Sequence, residues 1–243
     1  MPNYRIRPLL PTRMETDMGI LAFRYKYGTK IQSPAFFWYI EGGDKKILVD
    51  TSADAEMATS YRGFPAEKLT TFEGALAGVG LKPDDIDLVI QTHLHWDHCA
   101  NTAKCRNAKV LVTEEELRFA FSPHPLTGLS YKKDLFTDLN FVLVNGRYEV
   151  APGIELIPAP GHSPGTQAVA IDTEKGKAII TGFCCVLENF YPPEEVKKLM
   201  PVITPGTHLD AVQAYESMLR IKGMADILIP MHEPSFVGVD SIP

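Results

Sequence analysis

The apolar run Ile86 to Ile90 is followed almost at once by Thr92-His93-Leu94-His95-Trp96-Asp97-His98, four potential metal ligands in six residues. Three of the chain's seven histidines fall there, which makes an ordinary polar loop a poor explanation. Ile86, Leu88 and Ile90 with the interleaved Val89 predict a strand over Asp84 to Gln91, buried on both faces. Such a strand delivers the loop behind it to one edge of the sheet. In an extended segment His93 and His95 point the same way, because side chains alternate with period two. Asp97 would continue that row, but a turn into helix near Asp97 swings Asp97 and His98 toward a neighbouring point. Two imidazoles can then serve one cation, and an Asp with a His a second. Neutral imidazole and carboxylate suit zinc, and imidazole also suits iron. A helical zinc-protease pattern is excluded, since no His-Glu-x-x-His occurs.

With 243 residues the chain can bury one large core, and no linker, repeat or low-complexity stretch argues for a division, so residues 1–243 are expected to form a single domain. A formal net charge of −6 without any basic run argues against a nucleic-acid substrate, since phosphate contacts need clustered Lys and Arg. The opening residues Met1 to Arg7 lack the apolar core of a secretory signal, and no stretch approaches a membrane span, so a cytoplasmic location with no membrane partner is expected. Cys99, Cys105, Cys184 and Cys185 do not read as a disulfide framework in a chain this long.

Strand-like runs cover Met18 to Tyr27, Ala35 to Glu41 and Lys46 to Asp50, the last two joined as a hairpin by Gly42-Gly43-Asp44. Pro65 to Val79 carries Leu69, Phe72, Leu76 and Val79 at helical spacing. A strand at Lys109 to Val112 leads into a helix from Thr113 to Phe121, with Thr113 and Glu116 at capping-box spacing. Ser122 to Asn140 has no clean period and suits a loop overhanging the site. Further strands are expected at Phe141 to Val144, Ile154 to Ile157, Gln167 to Asp172, Lys177 to Thr181 and Ala225 to Ile229, with helices near Pro193 to Met200 and His208 to Lys222, the latter capped by Thr207. Pattern alone gives mixed α/β.

The segment His93, His95, Asp97, His98 resembles the His-x-His-x-Asp-His signature of the metallo-β-lactamase-fold hydrolases. The likeness extends upstream to Ile47-Leu48-Val49-Asp50-Thr51, where Asp50 would support the metal loop from behind, and downstream to Pro160-Gly161-His162-Ser163-Pro164-Gly165 and Ile229-Pro230-Met231-His232. It implies a four-layer αββα sandwich of two mixed β-sheets with helices on the outer faces. It implies two Zn2+ ions, with one ion, or iron or manganese, as alternatives. His93, His95 and His162 would hold the first, and Asp97, His98 and His232 the second. The chemistry implied is attack on a carbonyl by a metal-bound hydroxide, Asp97 also orienting the nucleophile and passing a proton to the leaving group.

The family's bridging Asp follows a Thr-Gly pair, and here Thr181-Gly182 is followed by Phe183, Cys184 and Cys185. A thiolate from Cys184, or less favourably Cys185, would fill that role after a small loop shift; buried packing of both is the alternative. Tyr191 is a candidate donor to a substrate carbonyl oxygen. Trp96 could wall the pocket, His124 and His208 suit surface or capping positions, and Cys99 and Asn101 suit a structural role.

Within the family the context around Asp97 to Asn101 is most similar to the N-acyl homoserine lactonases, so a small-molecule lactone, ester or thioester is the expected substrate. The hydroxyacylglutathione hydrolases carry a helical region after the last histidine, whereas eleven residues follow His232 here. A mononuclear-iron oxidoreductase like the persulfide dioxygenases, or a non-catalytic ligand sensor, are the alternatives. A homodimer is possible, with Phe36-Phe37-Trp38-Tyr39 as a candidate exposed patch.

Overall fold

The computed structural model describes residues 4–243; the first three residues of the stretch read for a signal segment lie outside it. The first sheet contains β1 (Arg5–Asp17), β2 (Lys30–Glu41), β3 (Ile47–Val49), β4 (Ala66–Lys68), β5 (Leu88–Ile90), β6 (Lys109–Thr113) and β7 (Phe141–Val144), in the spatial order β4-β1-β2-β3-β5-β6-β7. The second contains β8 (Tyr148–Ala151), β9 (Ile154–Pro158), β10 (Gln167–Thr173), β11 (Gly176–Ile180) and β12 (Ile227–Ile229), in the order β12-β11-β10-β9-β8. Both are mixed: β3, β5, β6 and β7 run parallel beside an antiparallel β1-β2-β3 meander, and β12 joins an antiparallel set by parallel pairing to β11.

Period-two alternation places alternate side chains on opposite faces of each strand. Phe36, Trp38 and Ile40 of β2 face inward and meet Leu156, Val169, Ile171 and Ile180 of the second sheet in the main core. Phe37, Leu48 and Val89 face the other way and are covered by Phe72 and Leu76. On the far side Ala168, Ala170 and Ile179 are covered by Met218 and Ile221. Each fully buried large side chain contributes roughly 1.5–3 kcal/mol. The layers are therefore helix, sheet, sheet, helix.

The helices are α1 (Met18–Leu21), α2 (Ala55–Arg62), α3 (Phe72–Ala77), α4 (Trp96–Cys99), α5 (Glu114–Phe121), α6 (Leu187–Phe190), α7 (Glu194–Lys197) and α8 (Ala211–Met224). Several differ from the sequence expectation for identifiable reasons. Met18 to Tyr27 is not a strand, because Asp17 caps the short α1 by accepting from the Gly19 amide at 2.7 Å. The strand lies earlier, in β1, whose two prolines hid it. Pro8 stands beyond the stretch paired by β4, and Pro11 stands at the register shift between Leu9 and Thr12. Pro65 to Val79 divides into edge strand β4 and α3, which starts only where the Thr71 hydroxyl accepts from the Gly74 amide. The cap of α8 is Asp210, not Thr207. Phe36, Phe37 and Trp38 are buried and Tyr39 half-buried, so this is core and not an exposed patch.

The C-terminal ends of β3, β5, β9, β11 and β12 open onto the same side of the sandwich, and the loops that leave them carry the candidate ligands, the usual position for a site in such sheets.

Candidate metal centre

The loop after β5 turns into α4 at His95, whose backbone is still extended, so the helix begins at Trp96 and carries Asp97 and His98 away from the His93–His95 row. The glycines of the loop after β9 allow His162 to come close. A Cβ on Gly161, at φ +125°, would fall on the backbone of Ala214 in α8, and one on Gly165 would fall on the backbone of Glu116 in α5. His232 follows β12 directly.

These loops bring together all six residues expected to hold cations. His93, His95 and His162 each offer a ligand atom within 4.8 Å of the other two, and so do Asp97, His98 and His232. The clusters adjoin, with the His93 and His98 rings 4.1 Å apart between centroids.

Hydrogen bonding fixes which ring nitrogen is free. Asp50 Oδ1 accepts from the Thr92 amide at 2.8 Å, and Oδ2 accepts from the Thr92 hydroxyl at 2.8 Å and faces His98 Nδ1 at 2.7 Å. With its one hydrogen committed to Asp50, Thr92 Oγ1 must accept from His93 Nδ1, 3.0 Å away. His162 Nδ1 donates to the Thr207 carbonyl at 2.6 Å, and His232 Nδ1 to the Pro34 carbonyl at 3.0 Å. Four Nε2 lone pairs therefore point inward. His93 Nε2 and His162 Nε2 meet at 3.1 Å, and the buried His232 Nε2 finds no partner, its nearest carboxylate oxygen, Asp97 Oδ2, being 3.8 Å away. Acceptor atoms facing one another without water between them are unfavourable unless a cation lies among them. This donor set fits two borderline divalent ions, with the imidazoles of His93, His98, His162 and His232 each oriented from behind by an oxygen atom as metal-bound histidines commonly are.

Burial, together with repulsion among the imidazoles, holds His93 and His95 well below the ordinary histidine range. Burial brings His162 to about 4 and also lowers His232. His98 is the exception: burial pulls it down, but the carboxylates of Asp97 and Asp50 outweigh that and raise it. The neutral, metal-binding form is thus the one the fold favours at four of the five histidines.

Asp50 itself has φ +58° and Ser52 φ +56°, left-handed backbone that a non-glycine residue adopts at some cost. The turn folds the Asp50 carboxylate back under the metal loop, while the Asn101 amide secures the Thr51 carbonyl at 3.0 Å.

Glu116 was legible in the sequence only as a capping-box partner. The Thr113 hydroxyl does accept from the Glu116 amide, but the carboxylate turns inward. Fully buried, it accepts from the Leu94 amide at 2.9 Å, the Ser163 hydroxyl and the Tyr131 hydroxyl at 3.2 Å. It thereby ties the His93–His95 loop to the His162 loop. Burial raises its pKa, and these three donors oppose the shift. Tyr131, from the expected overhanging segment, also sets its ring 4.7 Å from that of His95.

The cavity over the clusters has a volume of about 80 Å³. Asp97, His95, His98, His162 and His232 form its floor, and Trp96, Phe64, Met14, Leu21 and Arg62 contribute to its walls. Cys184 lines it as well, though it belongs to neither cluster of three. Cys185 lies in the apolar cluster with Phe183 and Phe190, so Phe183 offers nothing at the bridging position. Tyr191 is 56% exposed under the Lys222 ammonium and does not line the cavity. His124 caps a short 3₁₀ turn, and His208 pairs with the Pro205 carbonyl and the Phe23 ring, both outside the two clusters.

The family model described as the Metallo-beta-lactamase superfamily matches residues 32–182. An N-acyl homoserine lactonase from Bacillus thuringiensis is 30% identical over 207 residues, covering 80% of this chain and 78% of the relative. The N-acyl homoserine lactonase AiiB of Agrobacterium fabrum is 29% identical over 187 residues, 67% of each chain. Among solved structures, a B. thuringiensis AiiA mutant with N-decanoyl-L-homoserine bound at its active site superposes with a TM-score of 0.80 at 26% identity, covering 98% of this chain and 96% of that one.

Proposed function

The chain belongs to the metallo-beta-lactamase superfamily, in its lactonase-like branch of metal-dependent hydrolases, and from that premise we propose that it opens a lactone ring of the N-acyl homoserine lactone type with two zinc ions. The observation that carries this reading is the pair of adjoining three-residue clusters, His93, His95, His162 and Asp97, His98, His232, in which His93 Nε2 and His162 Nε2 face each other and His232 Nε2 has no partner. These residues would hold two cations, which would supply a lowered pKa for water and polarisation of a carbonyl oxygen.

The protein's own groups then have separate tasks. His93, His162, His98 and His232 are locked in one tautomer by Thr92, Thr207, Asp50 and Pro34, so no reorganisation of the floor is needed during turnover. Asp97 is the ligand most open to the cavity, with 15% of its side chain exposed, which suits it to orient the nucleophile and carry a proton to the leaving alkoxide. The apolar walls exclude water from an acyl chain. Cys184, which lines the same cavity, would supply an additional ligand to one ion.

Two clusters of equal completeness do not favour the single-iron oxidoreductase. Four free thiols are consistent with the cytoplasmic location, and among the described residues no helix is long and apolar enough to cross a membrane. The test is a panel of N-acyl homoserine lactones, simple lactones, esters and thioesters assayed by proton release, before and after chelation. Lactone opening that is lost on chelation and returns with zinc is expected; turnover of none of them, or turnover that survives chelation, overturns the proposal.

A further inference from the structure

Arg62 ends α2 at the mouth of the cavity, where Gly63 in the left-handed conformation terminates the helix. Its guanidinium donates from Nη1 to the Leu129 carbonyl at 2.6 Å and lies 5.9 Å from the Phe64 ring centroid. Among the described residues no carboxylate comes within ion-pairing distance of it. The cations around the same helix are all paired: Lys132 with Asp134, Lys68 with Glu56, and Lys104 with Glu73.

Of the nine arginines, Arg7, Arg13, Arg118 and Arg147 are ion-paired; Arg62 is an unpaired one that lines the cavity. The rest of the wall offers it no acid: Met14, Leu21, Phe64 and Trp96 are apolar, and Ser33 and Ser130 are neutral. One guanidinium edge is spent on Leu129, which leaves further N–H donors for a planar, two-oxygen acceptor.

We propose that Arg62 selects substrates whose acyl group ends in a carboxylate. The inference rests on the lactonase reading and names the substrate class within it. The scissile carbonyl sits over the two clusters, the methylene chain runs along the apolar wall, and the terminal carboxylate meets Arg62. A neutral acyl chain of equal length leaves the guanidinium without an acid, and the protein's overall negative charge repels anionic substrates that lack this contact.

The experiment compares matched homoserine lactones, N-adipoyl against N-hexanoyl and N-suberoyl against N-octanoyl, with the zinc-loaded protein. At least about a tenfold higher kcat/KM for one acid-tailed member over its neutral partner is expected, and Arg62→Met should bring that ratio to about one. Arg62→Lys, which keeps the charge, should retain part of the preference; a Lys variant indistinguishable from Met would assign the effect to the Leu129 contact and overturn the proposal. A ratio at or below one in the unaltered protein overturns it too. Calorimetric binding of the ring-opened N-adipoyl- and N-hexanoyl-homoserine gives the same comparison without turnover. Absent lactonase activity combined with Arg62-dependent preference for the acid-tailed compound would sink the lactonase reading alone, and equal binding of the two would sink the Arg62 assignment.

Discussion

Asp50 Oδ2 stands 2.7 Å from His98 Nδ1, and the same carboxylate holds Thr92 by both amide and hydroxyl, so one buried acid orients a ligand of each cluster. Asp50→Asn substitutes an amide that cannot accept through both ends. Metal affinity is expected to fall roughly 10–100-fold, the usual effect of removing a group that orients a ligand. Competition with a chromogenic chelator measures it, and unchanged affinity would show that His98 and Thr92 do not need Asp50.

Glu116 joins two ligand loops through Leu94 and Ser163. Glu116→Ala leaves the Leu94 amide and the Ser163 and Tyr131 hydroxyls without their acceptor in a buried setting, each such loss costing about 1–3 kcal/mol. A clear fall in melting temperature is expected, together with weaker binding at the first cluster only. Ser163→Ala, which removes one donor, should cost less. A Glu116→Ala protein as stable as the parent would contradict the assignment.

The adjacent cysteines separate cleanly. Burial pushes both thiols up, but Cys184 lines the cavity, whereas Cys185 is packed among Phe183, Phe190 and Ile179. Cys184→Ser should lower the affinity of one ion and leave the other unaffected, while Cys185→Ser should reduce stability and leave stoichiometry alone. Cobalt substitution provides a spectroscopic check: thiolate charge transfer is expected in the parent and absent in Cys184→Ser, and a parent spectrum without it returns Cys184 to a packing role.

His93, His95, His162 and His232 are all held below the ordinary histidine value, chiefly by burial. The unfolded chain then binds protons that the metal-free native state refuses, so their contribution to stability is present above the unfolded pKa and is lost as pH falls. His98 acts oppositely, since Asp97 and Asp50 overcome its burial and raise it, but it is one group against four. The chelated protein should therefore melt at progressively lower temperature as pH falls from the ordinary value of 6.5 toward the value of about 4 held by His162. Scanning calorimetry across that window tests this, and a melting temperature independent of pH would contradict it.

Much of the centre was readable because its ligands are contiguous or flanked by Pro and Gly. His93 to His98 follow an apolar strand, and Gly161 and Gly165 announce the close approach that brings His162 in. The β2 to β3 hairpin and the strands β7, β9, β10 and β11 were legible from local pattern bounded by turn residues, whereas β8 was not expected. What escaped depends on contacts distant in sequence. Glu116 occupies an ordinary capping position, and only the fold reveals that its carboxylate faces Ser163, 47 residues away. Arg62 is an ordinary last-turn cation until α2 is placed over the cavity. The Phe36 to Tyr39 run misled because two aromatic faces, one toward each layer, look from sequence alone like a surface patch.

The central claim is that His93, His95, His162 and Asp97, His98, His232 hold two cations that drive carbonyl hydrolysis. Elemental analysis of the purified protein beside its His95→Ala variant, with lactone opening followed on the same samples, tests it most directly. Two equivalents of zinc in the parent, with metal and turnover falling together in the variant, is the predicted result; full activity in His95→Ala, or an active parent without bound metal, would contradict it.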